Sequence, residues 1–171
     1  MKTINNKVEE YLKRKNIENY IIENQKYLYR IAFSYAKNQD DALEIVQNTI
    51  YKALNSSNSL KNINLIKYWI TRILINDCFD FFKKNSKLVL VEEVYDKEQY
   101  KDEVLNRIIL ENAMNNLPSK MKIIIILRFF EDFKIKEISQ ILDMNENTVK
   151  TNLYKALNLL KIDLEEDFIN E

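Results

Sequence analysis

Hydrophobic residues recur at three- and four-residue spacing along most of this chain, which is the pattern of helices that bury one face. The pattern predicts long helices over residues 17–37, 41–54, 65–84 and 104–115. A further helix is expected after Pro118, because proline is tolerated in a first turn. Residues 123–127 form an apolar run that could be a buried strand, but no partner strand is evident and a buried helix is favoured. The chain is therefore predicted to be all-α.

Polar breaks separate these predicted helices. Residues 7–15 suggest a short charged helix or arm, and Asp40 or Asp41 can cap the helix that follows the break at residues 38–40. The polar run at residues 55–59 is the clearest loop in the chain. Residues 85–103 hold one apolar cluster and then become acidic, which indicates a linker.

Residues 134–161 contain two short amphipathic patterns that flank the polar break Asp143-Met144-Asn145. The apolar positions are Ile135, Ile138, Ile141 and Leu142 in the first pattern, and Val149, Leu153, Ala156, Leu157 and Leu160 in the second. Asn145 is a suitable N-cap for the second helix, and Glu146 places a negative charge in its first turn. Two helices joined by so few residues predict a helix-turn-helix, which lays its second helix in the DNA major groove.

The outward face of that second helix is rich in amides, hydroxyls and lysines. It comprises Asn147, Thr148, Lys150, Thr151, Asn152, Tyr154, Lys155 and Asn158. Asn can pair with adenine, Thr can contact a thymine methyl group, and Lys can neutralise phosphate. The alternative is an ordinary solvated helix in an antiparallel pair, so the segment favours DNA binding without requiring it.

Charge is balanced over the chain, with 26 basic and 26 acidic residues among 171. Residues 61–87 nevertheless hold six Lys or Arg against two Asp, and residues 118–161 hold eight basic against five acidic residues. Residues 92–103 and 163–171 are acidic. Two basic patches separated by an acidic stretch suit a protein that touches DNA in two places, although most acidic runs are simply solvated linkers and tails.

The composition excludes several kinds of active site. The chain has no His, no Gly and one Cys, which excludes His-based triads, zinc sites and glycine-rich phosphate loops. No paired acids stand in an apolar setting that would tune them for catalysis. We therefore expect no enzymatic activity, no metal and no cofactor, and we expect Cys78 to be a small buried side chain.

No targeting segment is evident. The first thirty residues alternate charged and apolar positions, unlike a secretory signal, and the longest apolar run, residues 123–127, is too short to span a membrane. The protein is expected to be cytoplasmic.

The order of several motifs resembles one protein family. The carboxyl-terminal motifs are Leu117-Pro118, Leu127-Arg128-Phe129-Phe130, Lys136-Glu137-Ile138, Ile141-Leu142 and residues 147–153. The amino-terminal motifs are Tyr27-Leu28-Tyr29-Arg30, Asp41-Ala42, Glu44, Val46-Gln47, Lys52-Ala53, Trp69, Arg72-Ile73, Asn76, Asp80 and Lys83. In these motifs the chain resembles bacterial sigma-70-type RNA polymerase sigma factors of the small, extracytoplasmic-function kind.

The resemblance implies two small helical domains that recognise a promoter. It divides the chain into an arm at residues 1–16, a sigma-2-like domain at 17–87, a linker at 88–103 and a sigma-4-like helix-turn-helix domain at 104–171. Such a factor binds core RNA polymerase, recognises the −10 and −35 elements of promoter DNA, and has no catalysis of its own. An anti-sigma factor that covers the same surfaces is also expected.

The resemblance assigns polymerase binding to Asp41, Glu44 and Gln47, which would dock on the clamp helices of the largest polymerase subunit. Family members usually carry further acids where Leu43 and Asn48 stand. Binding is therefore expected to depend more on apolar contacts from Leu43, Ile45 or Ile50.

The resemblance assigns the −10 element to the helix that begins near Trp69 and to the loop before it. Asn76 and Asp80 would lie near a captured base, while the cations would meet phosphate: Lys61, Lys67, Arg72, Lys83 and Lys84. Most of the neighbouring aromatic residues are expected to pack in the core: Tyr68, Trp69, Phe79, Phe81 and Phe82.

The −35 element would be read by the helix-turn-helix through Asn147, Thr148, Lys150, Thr151, Asn152 and Lys155. Of these, Thr151, Asn152 and Lys155 would lie closest to the base edges, and Lys150 would contact phosphate. Family members often have Arg where Asn152 stands, so a common guanine contact is missing. They often have Gly where Asn147 and Asp143 stand, and Asp tolerates the left-handed backbone expected at the turn.

Two other functions remain open from the sequence. A stand-alone helix-turn-helix regulator would bind operator DNA as a dimer, but no heptad seam for dimerisation is evident. A purely helical adaptor would have no role on DNA.

Overall fold

The computed structural model describes residues 2–85 and 102–169 of the chain. These residues form eight α-helices and no strand, so the predicted all-α class is confirmed. The helices are α1 (Lys2–Glu23), α2 (Gln25–Ala36), α3 (Gln39–Asn55), α4 (Ile66–Asn85), α5 (Asp102–Asn116), α6 (Ser119–Ile125), α7 (Ile135–Leu142) and α8 (Glu146–Ile169). They belong to two compact units, one built from α1–α4 and the other mainly from the helices after residue 102.

In the first unit, α2, α3 and α4 pack against one another. Helix α1 packs against α3 and against the 3-10 turn Ser57–Ser59. The core includes Leu28, Ile31, Ile70 and Leu74, none of which is exposed to solvent. Each buried side chain of this size contributes about 1.5–3 kcal/mol, so the core holds the outward faces of α3 and α4 in fixed directions.

Two helix boundaries in this unit differ from the sequence prediction. The single helix predicted over residues 17–37 is two helices that meet at Asn24, whose side-chain Nδ2 donates to the Tyr20 carbonyl oxygen at 2.8 Å. Residues 2–16 are continuous with the first of these helices. The predicted cap of α3 was also wrong, because Asn38 rather than Asp40 or Asp41 precedes the helix and accepts from its backbone.

Cys78 lies in the core of the first unit and is not exposed to solvent, as predicted. Burial, and secondarily the neighbouring Asp77 carboxylate, raise the pKa of the Cys78 thiol to about 12. A thiol this buried and this weakly acidic is unreactive while the unit stays folded.

In the second unit, α5 and α6 pack against α8. Residues 123–127 are all buried and run from α6 into a π-helical turn, Ile126–Phe130. The prediction of a buried helix, rather than a strand, is therefore confirmed. Phe133 is also buried, and its backbone N–H donates to the Leu127 carbonyl oxygen at 2.9 Å, which folds the chain back after the π-turn.

The predicted linker at residues 88–103 lies outside the described residues except for its last two, which begin α5. Within the described part of the chain, none of the helices is both long and apolar enough to cross a membrane.

Candidate functional site

The helix-turn-helix pattern corresponds to α7 and α8, which are separated by residues 143–145. Asp143 ends α7 in the left-handed conformation, with φ of 54° and ψ of 48°, and its backbone N–H donates to the Ser139 carbonyl oxygen. Asn145 precedes α8, and its side-chain Oδ1 accepts from the Asn147 backbone N–H at 2.8 Å. Both predictions for this turn, a left-handed Asp143 and an Asn145 cap, are confirmed.

The Asn145 cap predicts a measurable loss of stability on substitution. Asn145→Ala removes the acceptor of one otherwise unpaired N–H at the start of α8, and should cost about 1 kcal/mol of unfolding free energy. Denaturant unfolding followed by circular dichroism would measure the change. Asn158→Ala, at an exposed position within the same helix, is the control and should stay within about 0.5 kcal/mol of the parent. Equal effects of the two substitutions would contradict the capping role.

The side of α8 that faces solvent carries the predicted −35 residues. Asn147, Thr148, Lys150, Thr151 and Lys155 are exposed, and Asn152 is half-buried. The opposite side buries Val149, Leu153, Ala156 and Leu160. Leu157 was predicted to be buried with them, but its side chain is 38% exposed, so this prediction was wrong.

Two of the predicted base-reading side chains make bonds within α8. The Thr151 hydroxyl donates to the Asn147 carbonyl oxygen at 2.9 Å, and Asn152 Nδ2 donates to the Thr148 carbonyl oxygen at 2.8 Å. These bonds leave the Thr151 methyl group, the Asn152 Oδ1 acceptor and the second Nδ2 hydrogen of Asn152 for a ligand. A methyl group and an amide oxygen suit a thymine methyl group and a base amino group respectively.

The predicted polymerase-binding residues lie on α3. Glu44 and Gln47 are exposed, whereas Asp41 is half-buried and its carboxylate accepts from Asn38 Nδ2 at 2.6 Å. Asp41 therefore also supports the start of α3. Exposed Leu43 remains available for an apolar contact, but Ile45 is 1% exposed and cannot provide one, so that part of the prediction was wrong.

Tyr51 is a further exposed residue on the same side of α3, which sequence reasoning missed. Its side chain is 70% exposed, one turn beyond Gln47. The i, i+4 spacing of the two residues was visible in the sequence and could have identified it.

The predicted −10 residues lie on α4 and on the segment before it. Arg72, Asn76, Asp80 and Lys83 are exposed, and at 100° per residue they fall within a sector of about 80°. They form one surface, which we call the α4 polar face. Lys84 also lies in α4, but the structure does not describe its side chain.

Two other predicted −10 cations, both exposed, are not part of the α4 polar face. Lys61 precedes the helix, and Lys67 points about 180° away from Asn76 around the axis of α4. The Lys67 ammonium lies 5.8 Å from the centroid of the Tyr27 ring in α2. The Tyr27 hydroxyl is also 2.6 Å from Thr71 Oγ1, so this lysine has a defined place beside α2.

The aromatic residues of α4 are half-buried rather than fully buried. This holds for Tyr68, Trp69, Phe79 and Phe81, while the Phe82 side chain is outside the described set. Phe79 packs edge-on against buried Tyr35 with ring centroids 5.9 Å apart, as expected for core packing. Trp69 Nε1 donates to Ser59 Oγ at 3.1 Å and joins α4 to the preceding turn.

A buried polar cluster between α3 and α4 was not found from the sequence. Asp77 is 5% exposed; its Oδ2 accepts from Thr49 Oγ1 at 2.9 Å, and its Oδ1 forms an ion pair with Lys52 Nζ. The signal was present, because Thr49 and Asp77 occupy positions at which apolar residues would continue the buried faces of their helices.

Comparison with known proteins places both units in one family. Residues 21–88 match sigma-70 region 2, and residues 107–160 match sigma-70 region 4. The RNA polymerase sigma factor SigV of Bacillus subtilis is 44% identical over 154 residues, which cover 86% of this chain and 90% of SigV.

Solved structures agree with this fold. The sigma factor RpoE of Bartonella quintana, crystallised with the anti-sigma factor NepR, superposes with a TM-score of 0.69 and 25% identity over 88% of this chain and 98% of RpoE. CnrH in complex with the cytosolic domain of CnrY has the same fold, with a TM-score of 0.67 and 16% identity over 88% of each chain. This protein belongs to the sigma-70 family of RNA polymerase sigma factors, in its extracytoplasmic-function group.

Proposed function

We propose that this protein is an alternative sigma factor that binds core RNA polymerase and directs promoter-specific initiation through the −10 and −35 elements. The observation that carries the proposal is the presence of both sigma-70 regions in one chain, each on its own packed helical unit. This pairing does not favour a stand-alone regulator or an adaptor. We further propose that it acts in the cytoplasm and has no catalytic activity.

The −35 element is read in this proposal by the exposed side of α8. Lys150 contacts phosphate, which positions the helix without selecting a sequence. We assign Lys155 to phosphate as well, instead of the base edge expected from the sequence, because its ammonium group is a point charge that suits phosphate oxygens. Asn147, Thr148, Thr151 and Asn152 face the base edges. Because Asn152 retains an acceptor oxygen where relatives often carry Arg, the preferred base at this position carries an amino group.

The −10 element is bound by the α4 polar face. Arg72 and Lys83 supply positive charge for the backbone of the opened strand, and Asn76 and Asp80 lie between them for contact with an unpaired base. Lys61 and Lys84 add charge near this surface and contact flanking phosphates, whereas Lys67, on the opposite side of α4, contacts phosphate beyond it.

Core polymerase is bound by α3 through Glu44 and Gln47, with Asp41 at the start of the helix and Tyr51 and Leu43 beside them. Polymerase then holds the two DNA-binding units in register. Each unit needs only modest affinity for DNA, because binding of the first raises the effective concentration of the second. The balanced overall charge of the chain is consistent with weak binding by the free protein.

An anti-sigma factor is part of the proposal. RpoE of Bartonella quintana was crystallised with the anti-sigma factor NepR, and it shares 25% identity with this chain. We propose that such a partner covers the polymerase-binding and DNA-binding surfaces of this protein. We also propose the domain bounds that the resemblance implies: an arm at residues 1–16, a sigma-2-like domain at 17–87, a linker at 88–103 and a sigma-4-like domain at 104–171.

Run-off transcription tests the proposed function. Purified core enzyme should give specific start sites on genomic promoter fragments only when this chain is added. The control is a gel shift of the same fragments with the chain alone, which should show weak binding. Tight specific binding without polymerase, combined with no transcript in its presence, would overturn the proposal and indicate a stand-alone regulator.

A further inference from the structure

The buried cluster between α3 and α4 fixes the position of one cation. The carboxylate of Asp77 uses both oxygens, one for the Thr49 hydroxyl at 2.9 Å and one for the Lys52 ammonium. Because the side chain of Asp77 is 4% exposed, leaving its charge without a partner would be strongly destabilising. Lys52 is therefore held at this place by the burial of Asp77.

The same ammonium group reaches the DNA-binding surface. Lys52 Nζ lies 3.9 Å from Asp80 Oδ2, and the side chains of Lys52 and Asp80 are 50% and 64% exposed. An exposed ion pair formed by two freely moving side chains orders neither of them well. Here Lys52 is already held in place by buried Asp77, so the Asp80 carboxylate has a cation at a fixed position with which to pair.

We propose that Lys52, anchored by Asp77 and Thr49, is a positioning residue that orients the Asp80 carboxylate on the α4 polar face. This inference rests on the proposed function, in which Asp80 contacts an unpaired base of the −10 element. A carboxylate held in one orientation accepts from a base amino or imino group with better geometry than a mobile one. Lys52 thus contributes to −10 selectivity without touching the base.

Because Lys52 is paired with Asp77, positioning of Asp80 by Lys52 can be distinguished from ordinary phosphate binding by its salt dependence. The charge of Lys52 is already compensated by a buried carboxylate, so Lys52 should release few counterions on DNA binding. Removing it should leave the salt dependence of promoter binding unchanged, whereas removing a phosphate-contacting lysine lowers the slope by about one.

The test uses a substitution that leaves no buried charge unpaired. Lys52→Met combined with Asp77→Asn removes both charges, while the asparagine oxygen can still accept from Thr49. Transcription with core enzyme is compared between a promoter with an intact −10 element and single-base variants of it. The ratio of transcription from the intact promoter to transcription from its variants should fall by about tenfold, as expected when one base contact loses its geometry. The single substitution Lys52→Arg, which keeps a cation beside Asp77, should retain most of the ratio of the parent.

The Asp80→Ala background decides whether Lys52 acts through Asp80. In that background the paired substitution should cause no further loss of selectivity, because the group that it positions is absent. A similar loss in both backgrounds, or a lowered salt slope, would overturn the positioning role. Lys13→Met, which breaks an exposed pair with Glu9 at 3.4 Å, is the matched control and should leave the ratio unchanged.

Transcription with the unsubstituted parent protein distinguishes failure of this inference from failure of the proposed function. Absence of any specific transcript with the parent would overturn the proposed function itself. Specific transcripts from the parent, with the ratio unaltered by the paired substitution, would overturn only the role of Lys52.

Discussion

Glu44→Lys is expected to weaken binding to core RNA polymerase by at least about 30-fold. Glu44 is exposed on α3, and the packed core on the other side of the helix is untouched by the change. Placing a cation where an interface expects an anion removes one charge-assisted contact and adds like-charge repulsion, and removal of one such partner alone typically costs about 2–5 kcal/mol. A cost of about 2 kcal/mol corresponds to the 30-fold lower limit. Fluorescence anisotropy with labelled protein and purified core enzyme would measure the affinity.

Glu23→Lys makes the same charge change at an exposed position at the end of α1, so it controls for net charge. Its affinity for core enzyme should stay within about threefold of the parent, because long-range interactions between exposed charges are screened at physiological salt. Equal losses from the two substitutions would show that overall charge, rather than the α3 surface, controls binding.

Replacing Lys150 and Lys155 together by alanine is expected to lower affinity for promoter DNA by about 10- to 100-fold at 0.1 M salt. Both side chains are exposed on α8, where their loss leaves the buried face of the helix intact. The physical cause is counterion release. Each lost phosphate contact should lower the slope of log affinity against log salt by about one, so the double variant should lose about two.

Measurements with the polymerase holoenzyme on a duplex −35 fragment, at several salt concentrations, would give this slope. The affinity should fall by the same factor on matched and mismatched −35 sequences, because phosphate contacts carry no base information. Lys120→Ala, an exposed lysine in α6, should leave the slope unchanged. An unchanged slope in the double variant would contradict the assignment of Lys150 and Lys155 to phosphate.

The helix-turn-helix could be predicted in detail because its signals are local. The three-residue break, the left-handed Asp143 and the Asn145 cap depend on backbone geometry within a few residues, and each has a known side-chain preference. The apolar spacing in α8 identified the buried residues correctly, apart from Leu157. That residue lies at the edge of the apolar sector, where burial depends on the neighbouring helices rather than on the spacing.

Features set by long-range packing could not be predicted. The break at Asn24 has no glycine or proline to mark it, and the helical spacing of apolar residues continues past it into α2. The burial of Asp77 could not be predicted, because the partners that make it possible lie 25 and 28 residues away in α3. Sequence spacing shows which face of a helix a residue occupies, but not which residue of another helix meets it.

The position of Cys78 gives the first unit a built-in reporter of its own opening. Cys78 is the only thiol in the chain, it has no exposed surface, and its pKa is raised to about 12. A maleimide reagent should therefore modify the folded protein only during transient exposure of that core, and the labelling rate should track the free energy of the opening. Core enzyme or an anti-sigma factor bound to this unit would slow the labelling, so ligand occupancy could be followed without introducing a probe.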